Sequence, residues 1–441
     1  MIVQRAYKYK LRNVSKEMYK RLNQACGVNR LIWNYTLGKQ KEIFKAIPFE
    51  TEDVKYRDLL ERAGIGGVKD TYKYVKQLRN EHDYVKGEVA DSLLKKQWDL
   101  DLAFKAFFNN KQNPHWIVKK SARKKKIQFI TKWDYLYNLE KFPQFKSKND
   151  KQSFTYEFGK GAKLLPDYQV ELSKIGVIKY FKDRREIVGK PTTCTVSKKN
   201  NNWYISIHTK CEVNDPIHGS NKSVGIDLGV KKFAALYDNE GNEEIINGEG
   251  FYRKLEKKLA REKRILSRRV EHSKNWYKQN LKVNRISEKI ARCRRDFLQK
   301  NSTKIVEKYG KIVLEDLSIK NMSKSSKGDN EKPGKNVKQK SGLNKSILDQ
   351  GWYEFRRELE YKSKWRGGIV EVVDPKYTSQ SCSQCGHVWS GNRKSQSVFS
   401  CENCGFEHNA DLNAAKNILM KSSFYVNTGG HSGINEKITP V

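Results

Sequence analysis

TSQSCSQCGHVWSGNRKSQSVFSCENCGFEHNADLNAAKNIL, residues 378–419, carries two separate chemical signals. Cys382 and Cys385 form one C-x2-C pair, Cys401 and Cys404 form a second, and fifteen residues lie between the pairs. A glycine follows each pair (Gly386, Gly405), so the chain can turn tightly and point sulfurs and backbone N–H groups at one centre. Four thiolates at this spacing suit a closed, tetrahedral structural Zn²⁺ site. The plain alternative is two disulfides or four free thiols; disulfides would need an oxidising compartment, and Cys26, Cys194, Cys211 and Cys293, scattered and unpaired in sequence, point to none. The segment reads as a zinc ribbon.

The second signal follows at once. In NADLNAAKNIL (409–419), Leu412, Ala415, Ile418 and Leu419 fall on one helical face, which sets Asp411 at or near a helix start. Taken alone, Asp411 reads as an N-cap carboxylate. Two further carboxylates change that view. Val224-Gly225-Ile226 is a buried-type strand ending in Asp227, and GKIVLEDLSI (310–319) is another, ending in Glu315 and Asp316. A carboxylate embedded in an apolar strand is costly unless it is hydrogen-bonded, protonated or bound to a cation. Asp227, Glu315 and Asp411, if brought together, can hold two Mg²⁺ ions about 4 Å apart for phosphodiester hydrolysis.

The whole chain carries 88 Lys+Arg against 50 Asp+Glu, a formal net charge of +38 over 441 residues. Such an excess implies a polyanionic partner, nucleic acid or an anionic membrane surface. No apolar run approaches a bilayer span, and Met1 to Ala6 lacks the apolar core of a signal peptide. Nucleic acid is therefore the expected partner, and the scattered, unpaired cysteines point to a reducing cytosol.

Along the chain, Val3 to Leu11 alternates as a strand, and Ser15 precedes a helical stretch through Leu22 and Ala25. A second helical pattern follows Gly27 until Pro48, and a third runs from Val89 to Phe108. Residues 111–150 hold eleven Lys/Arg against three Asp/Glu, with Trp116, Phe129, Trp133 and Phe145 interleaved, as in a phosphate-tracking groove or a solvated basic face. From Ser153 to Ile207 short alternating runs predict a small β-barrel or sandwich that also takes in the first strand, with a hairpin turning at Asn200-Asn201-Asn202. Leu255, Leu259, Leu266 and Val270, then Ile286, Ile290, Cys293 and Phe297, predict a helical hairpin with one apolar seam and basic outer faces. Residues 321–346 read as a mobile Lys/Ser/Gly/Asn-rich loop, followed by one helix from about Ile347 to Trp365, and 422–441 as a disordered tail.

The order GIDLGV (225–230), IVLEDL (312–317), zinc ribbon, NADLNAAKNI (409–418) resembles the nuclease half of the TnpB family of transposon-associated RNA-guided nucleases and the related compact type V CRISPR effectors. NRLIWNYTL (29–37), LDLAFKAFF (100–108), FPQFKSKNDKQSF (142–154) and WYEFRRELEYKSKW (352–365) extend the resemblance over most of the chain. It implies an α+β multidomain protein: a β-barrel wedge (1–13 and 131–220) with an inserted helical recognition domain (14–130), then an RNase H-like (RuvC) α/β nuclease domain (221–378 and 409–421) carrying the four-cysteine zinc ribbon (379–408). It further implies a guide RNA, target and non-target DNA strands as partners, a short motif read 5′ of the target, a monomer on one RNA, and a place in the prokaryotic cytoplasm, at the nucleoid when acting. Carried over by position, Asp227, Glu315 and Asp411 are the catalytic acids, with Asp316 the alternative to Glu315. Cys382, Cys385, Cys401 and Cys404 are the zinc ligands, and Arg393 is a contact to the scissile phosphate. Two other activities use similar parts: a guide-dependent DNA-binding repressor, against which three intact acids argue, and an RNase H-like transposase, which needs neither RNA nor the ribbon.

Overall fold

The computed structural model describes residues 2–48, 68–108, 128–181, 186–212, 216–328 and 333–422. The basic segment 111–127, the acidic stretch 49–67 and the tail beyond residue 422 lie outside the described residues. The chain divides into two compact units, Met1–Val213 and Asn214–Val441, of mixed α+β character.

The first unit is built on a seven-stranded antiparallel sheet in the order β2-β6-β7-β1-β5-β4-β3. Strand β1 (Ile2–Arg12) lies at its middle, pairing with β7 (Asn202–Glu212) from Ile2↔Glu212 to Lys10↔Tyr204 and with β5 (Gly176–Tyr180) at Leu11↔Tyr180. The remaining strands are β2 (Ser153–Glu157), β3 (Ala162–Leu165), β4 (Gln169–Leu172) and β6 (Lys190–Lys199). Asn200 and Asn201, both at positive φ (49° and 65°), turn the β6–β7 hairpin as expected, because Asn tolerates the left-handed region that tight hairpins need. Alternate side chains from both halves of the sheet, among them Phe154, Tyr156, Val170, Ile178, Val196 and Ile205, fill one core.

Helix α1 (Lys16–Lys45) is capped by Ser15, whose Oγ accepts from Met18 N at 3.1 Å. It runs unbroken through Gly27, where two helices were expected. The glycine faces open space, and the thirty-residue apolar stripe outweighs one poor helix former. Then follow α2 (Val68–Glu81), α3 (Asp83–Lys86), α4 (Ala90–Phe108) and α5 (Lys132–Tyr137). The 132–142 stretch packs with helices although the barrel was expected to begin there. Trp133, Leu136, Leu139 and Phe142 bury themselves against Trp33, Leu37 and Phe44 of α1 and Leu100, Phe104 and Phe107 of α4.

The second unit centres on a five-stranded sheet in the order β10-β9-β8-β11-β12. Its strands are β8 (Ser223–Leu228), β9 (Lys232–Asp238), β10 (Glu243–Asn247), β11 (Lys311–Glu315) and β12 (Ile369–Val373). The first three form an antiparallel meander, while β11 and β12 run parallel to β8. Helices α6 (Phe251–Ser267) and α7 (Lys274–Lys308) form the expected hairpin around Leu259, Val283 and Ile290. Two assigned seam positions are not in it: Val270 lies in the turn, 79% exposed, and Cys293 is on the solvent face.

Residues 321–346 are not one loop. After the short α8 (Ile319–Met322), helix α9 spans Val337–Gln350, and α10 (Trp352–Trp365) follows it. The single helix expected from Ile347 to Trp365 is broken at Gly351, whose φ of +74° is incompatible with helix continuation. Leu298, Ile305, Val306, Phe355 and Leu359 cover one face of the sheet. The ribbon's strands, β13 (Val398–Ser400) and β14 (Glu407–Asn409), pair with each other, and α11 (Ala410–Met420) closes the other face through Leu412, Ala415, Ile418 and Leu419. Among the described residues, no helix is long and apolar enough to cross a membrane.

Candidate active site

The parallel register between β8 and β11, Val313 with Gly225 and Leu314 with Ile226, brings the next residues, Asp227 and Glu315, to the same carboxyl end of the sheet. Strand alternation then sends Asp316 elsewhere: it is exposed and bound to Arg356 Nη1 at 2.7 Å. Of the two acids in LEDL, Glu315 is the one turned toward the site.

Helix α11 delivers the third carboxylate. Its N-cap is Asn409, whose Oδ1 accepts from Asp411 N at 3.0 Å and Leu412 N at 3.2 Å. Asp411 is thereby spared the capping role that its position alone predicted, and its side chain is available in the first turn. The helix can lie this close because residue 225 is glycine. A Cβ there would come within 2.7 Å of Leu419 N and 2.8 Å of Leu419 Cβ, and would collide with the Ala415 carbonyl.

Asp227 is recessed at the sheet end, and its carboxyl is pushed up to about 7, first by burial, then by the charges of Glu315 and Asp411, with Arg393 opposing. Burial also raises Glu315, against the stabilising hydroxyl of Thr378, which donates to Glu315 Oε1, and the charge of Lys421. Arg393 Nη2 donates to Asp411 Oδ1 at 2.8 Å. Asp227 feels both other carboxylates, and three acids beside the Arg393 guanidinium and the Lys421 ammonium leave hard oxygen donors in excess, the donor set that Mg²⁺ prefers.

The four cysteines meet more tightly. Their sulfurs all lie within 4.8 Å of one another, with Cys382 to Cys404 at 3.7 Å and Cys385 to Cys401 at 3.6 Å. Tetrahedral Zn–S bonds of about 2.3 Å place sulfurs about 3.8 Å apart, so the cluster fits one Zn²⁺. Among the described residues it is the only set of three or more His, Cys, Asp or Glu whose ligand atoms close to this distance; the three acids stand further apart. Two matching knuckles build it. Gly386 N donates to Cys382 O and Gly405 N to Cys401 O, at 2.9 and 3.0 Å, with both glycines at positive φ.

Several contributors were not singled out in the sequence. Asn413 Nδ2 donates to Ser381 O at 2.9 Å, its Oδ1 accepts from Ser383 N at 3.0 Å, and Asn417 Nδ2 donates to Thr378 O and Ser381 O at 2.8 and 2.7 Å. Both are buried on α11 and tie the base of the ribbon to the helix that carries Asp411. Their i, i+4 spacing within an otherwise apolar face was the available signal. Thr378 and Gly225 offered none, because each acts through a residue far away in sequence.

Two family models match the chain: one described as "Probable transposase" over residues 206–326, and the TNB domain of Cas12f1-like proteins over residues 352–418. The chain is 46% identical over 279 residues to the Escherichia coli K12 protein named "Putative RNA-guided DNA endonuclease InsQ", spanning 63% of this chain and 68% of that one. It is 32% identical over 241 residues to the Cas12f1 endodeoxyribonuclease of Sulfoacidibacillus thermotolerans, half of this chain (50%) and 51% of that one. A solved Cas12f1–sgRNA–target DNA complex overlaps 95% of this chain and 99% of its own at 18% identity and a TM-score of 0.33, a likeness too distant to argue from. With the motifs in order and close identity across two thirds of InsQ, the chain belongs to the TnpB family of transposon-associated RNA-guided DNA endonucleases.

Proposed function

We propose that this chain binds a guide RNA and hydrolyses the DNA that the guide selects, at a single site formed by Asp227, Glu315 and Asp411. What supports this reading is that Asp227 and Glu315 end adjacent parallel strands and that the charges of Glu315 and of Asp411, on the helix behind, both bear on Asp227, in a protein of net charge +38. A three-strand antiparallel meander extended by two parallel strands, with helices on both faces, agrees with an RNase H-like (RuvC) domain. The antiparallel sheet of the first unit then corresponds to the wedge and α1 to α4 to the recognition helices, with a short motif 5′ of the target read from this N-terminal side.

Asp227, Glu315 and Asp411 would hold two Mg²⁺ ions, which would supply activation of the attacking water and neutralisation of the leaving 3′ oxygen. The chain's own residues prepare the ground. Asp227, Glu315 and Asp411 present the oxygens, Thr378 fixes the Glu315 carboxylate, and Arg393, beside Asp411, is placed to meet a phosphate oxygen. The ribbon, whose Cys382, Cys385, Cys401 and Cys404 would hold Zn²⁺, carries Arg393 through its backbone bridge to Phe399 and its bond to the Gln396 carbonyl. One chain acts on one RNA, at the nucleoid.

The test is to purify the chain from its native locus, sequence the RNA that accompanies it and assay cutting of matching DNA with and without Mg²⁺. Cutting should require both RNA and metal, and Asp227→Ala should abolish cutting while RNA and target binding persist. Retained cutting by that variant would sink the catalytic assignment. Absence of any copurifying RNA would favour strand transfer by a transposase of the same fold.

A further inference from the structure

The polar side of α11 recurs at every fourth residue, Asn413, Asn417 and the C-cap Lys421, and all three bond to one segment, the stem 374–383 that leads into the ribbon. Asn417 holds the carbonyls of Thr378 and Ser381, and Asn413 holds Ser381 O and Ser383 N. Lys421 Nζ donates to Asp374 O at 3.2 Å and to Lys376 O. Residues four apart lie one above the other on a helix, so a single face grips the stem along its length. The backbone on either side of Cys382 is thereby fixed to the helix that carries Asp411 in its first turn.

The same stem touches the opposite acid. Thr378, 3% exposed, donates its hydroxyl to Glu315 Oε1, and its Oγ1 also lies 3.0 Å from Pro375 O. A hydroxyl has one proton, and an ionised carboxylate takes it in preference to an amide carbonyl because the charge-assisted bond is stronger. Glu315 Oε1 is then engaged, and Oε2 is left to a cation. The turn that presents Thr378 is held in a costly conformation. Tyr377 has a φ of +62°, rare for a bulky aromatic residue, and its carbonyl accepts from Gln380 N, Ser381 N and Ser381 Oγ at 3.0, 2.9 and 2.8 Å. A hydrogen-bonded path therefore runs from Glu315 to Thr378, from Thr378 to Asn417, and along α11 to Asp411, with Cys382 seated on it between Ser381 and Ser383.

We propose that Thr378 is the positioning residue of Glu315, and that through it the zinc centre and the acid site are coupled, so that filling either site raises the affinity of the other. The inference rests on the proposed reading of Asp227, Glu315 and Asp411 as a divalent-cation site. A stem fixed at Cys382 keeps Thr378 on Glu315, whereas a slack stem lets the carboxylate turn. Coupling between two binding sites is reciprocal.

The probe is Mn²⁺, which takes the same oxygen donors as Mg²⁺. It is titrated by electron paramagnetic resonance into the full chain freed of nucleic acid, with zinc counted by elemental analysis. Thr378→Val should weaken Mn²⁺ binding several-fold at unchanged zinc content. Thr378→Ser, which loses the methyl and keeps the hydroxyl, should bind as the parent does; a role in packing alone would weaken it too. Cys382→Ser should weaken Mn²⁺ binding several-fold in the parent and add nothing in the Thr378→Val background. Unchanged affinity in a folded Thr378→Val overturns the inference. So does full additivity of the two changes, which would route the ribbon's influence through Arg393 instead. Mn²⁺ binding that survives Asp227→Ala counts against the acid site and the proposed function. Binding that Asp227→Ala abolishes and Thr378→Val leaves unaltered removes the coupling alone.

Discussion

Asp227 and Glu88 show how burial acts on a carboxylate with and without company. Asp227 shares its surroundings with Glu315 and Asp411, so part of its shift comes from like charges that a cation neutralises. Glu88, 8% exposed, is pushed up to about 7 by burial, with Arg21 opposing weakly. Its folded-state value lies above the ordinary one, so the folded chain keeps a proton that the unfolded chain releases from about pH 4.5 upward. Stability is therefore lost as pH rises through that window and stays lost above about pH 7. Glu88→Gln removes the ionisation. The variant should melt a few degrees above the parent at pH 8 and level with it at about pH 4, as read by calorimetry. Equal midpoints at pH 8 would mean that Glu88 finds compensation on ionising.

At the scale of elements, the site depends on how closely α11 lies against β8. Gly225→Ala forces the strand and helix apart, because the contacts it meets are backbone atoms of Ala415 and Leu419 rather than a side chain that can turn away. We expect a loss of about 3 kcal/mol in stability and a larger loss of cutting than of RNA binding, since Asp411 recedes from Asp227. Urea unfolding and cleavage rates on one preparation would check both. The ribbon makes a separate prediction. Cys382→Ser should empty the zinc site and lower the melting temperature, and chelation of the parent should do the same; unchanged zinc content by elemental analysis would remove Cys382 from the ligand set.

The motifs were legible because metal chemistry dictates residue type and spacing together: C-x2-C twice, and an acid where each buried strand ends. Their supports were not. Gly225 reads as one more strand glycine until the helix behind it is known, and Thr378 reads as loop polarity until Glu315 is found beside it. Local signals also misled where a longer context prevailed. Gly27 looks like a break, but α1 continues through it, while Gly351 is a break that an apolar stripe concealed.

For the whole molecule, the excess of +38 governs encounter more than fold. The helical hairpin of α6 and α7 contributes to it in the second unit, with eighteen Lys/Arg among residues 251–300. Binding of RNA should weaken linearly in log affinity against log salt, by roughly a thousandfold between about 50 and 200 mM if six or more phosphates are contacted. Filter binding at several salt concentrations would measure it, and a flat profile would show that charge contributes little to capture.

The asparagine ties from α11 to the ribbon bear on how such proteins can be recombined. Asn413 and Asn417 hold the backbone at 378–383, so the ribbon's seat is written in the helix that follows it. A chimera that exchanges only the cysteine-bearing segment would set a foreign insert on a mismatched base. The transplantable cassette is instead 378–420, ribbon and helix as one piece, and exchanging it carries the third acid along with the metal centre.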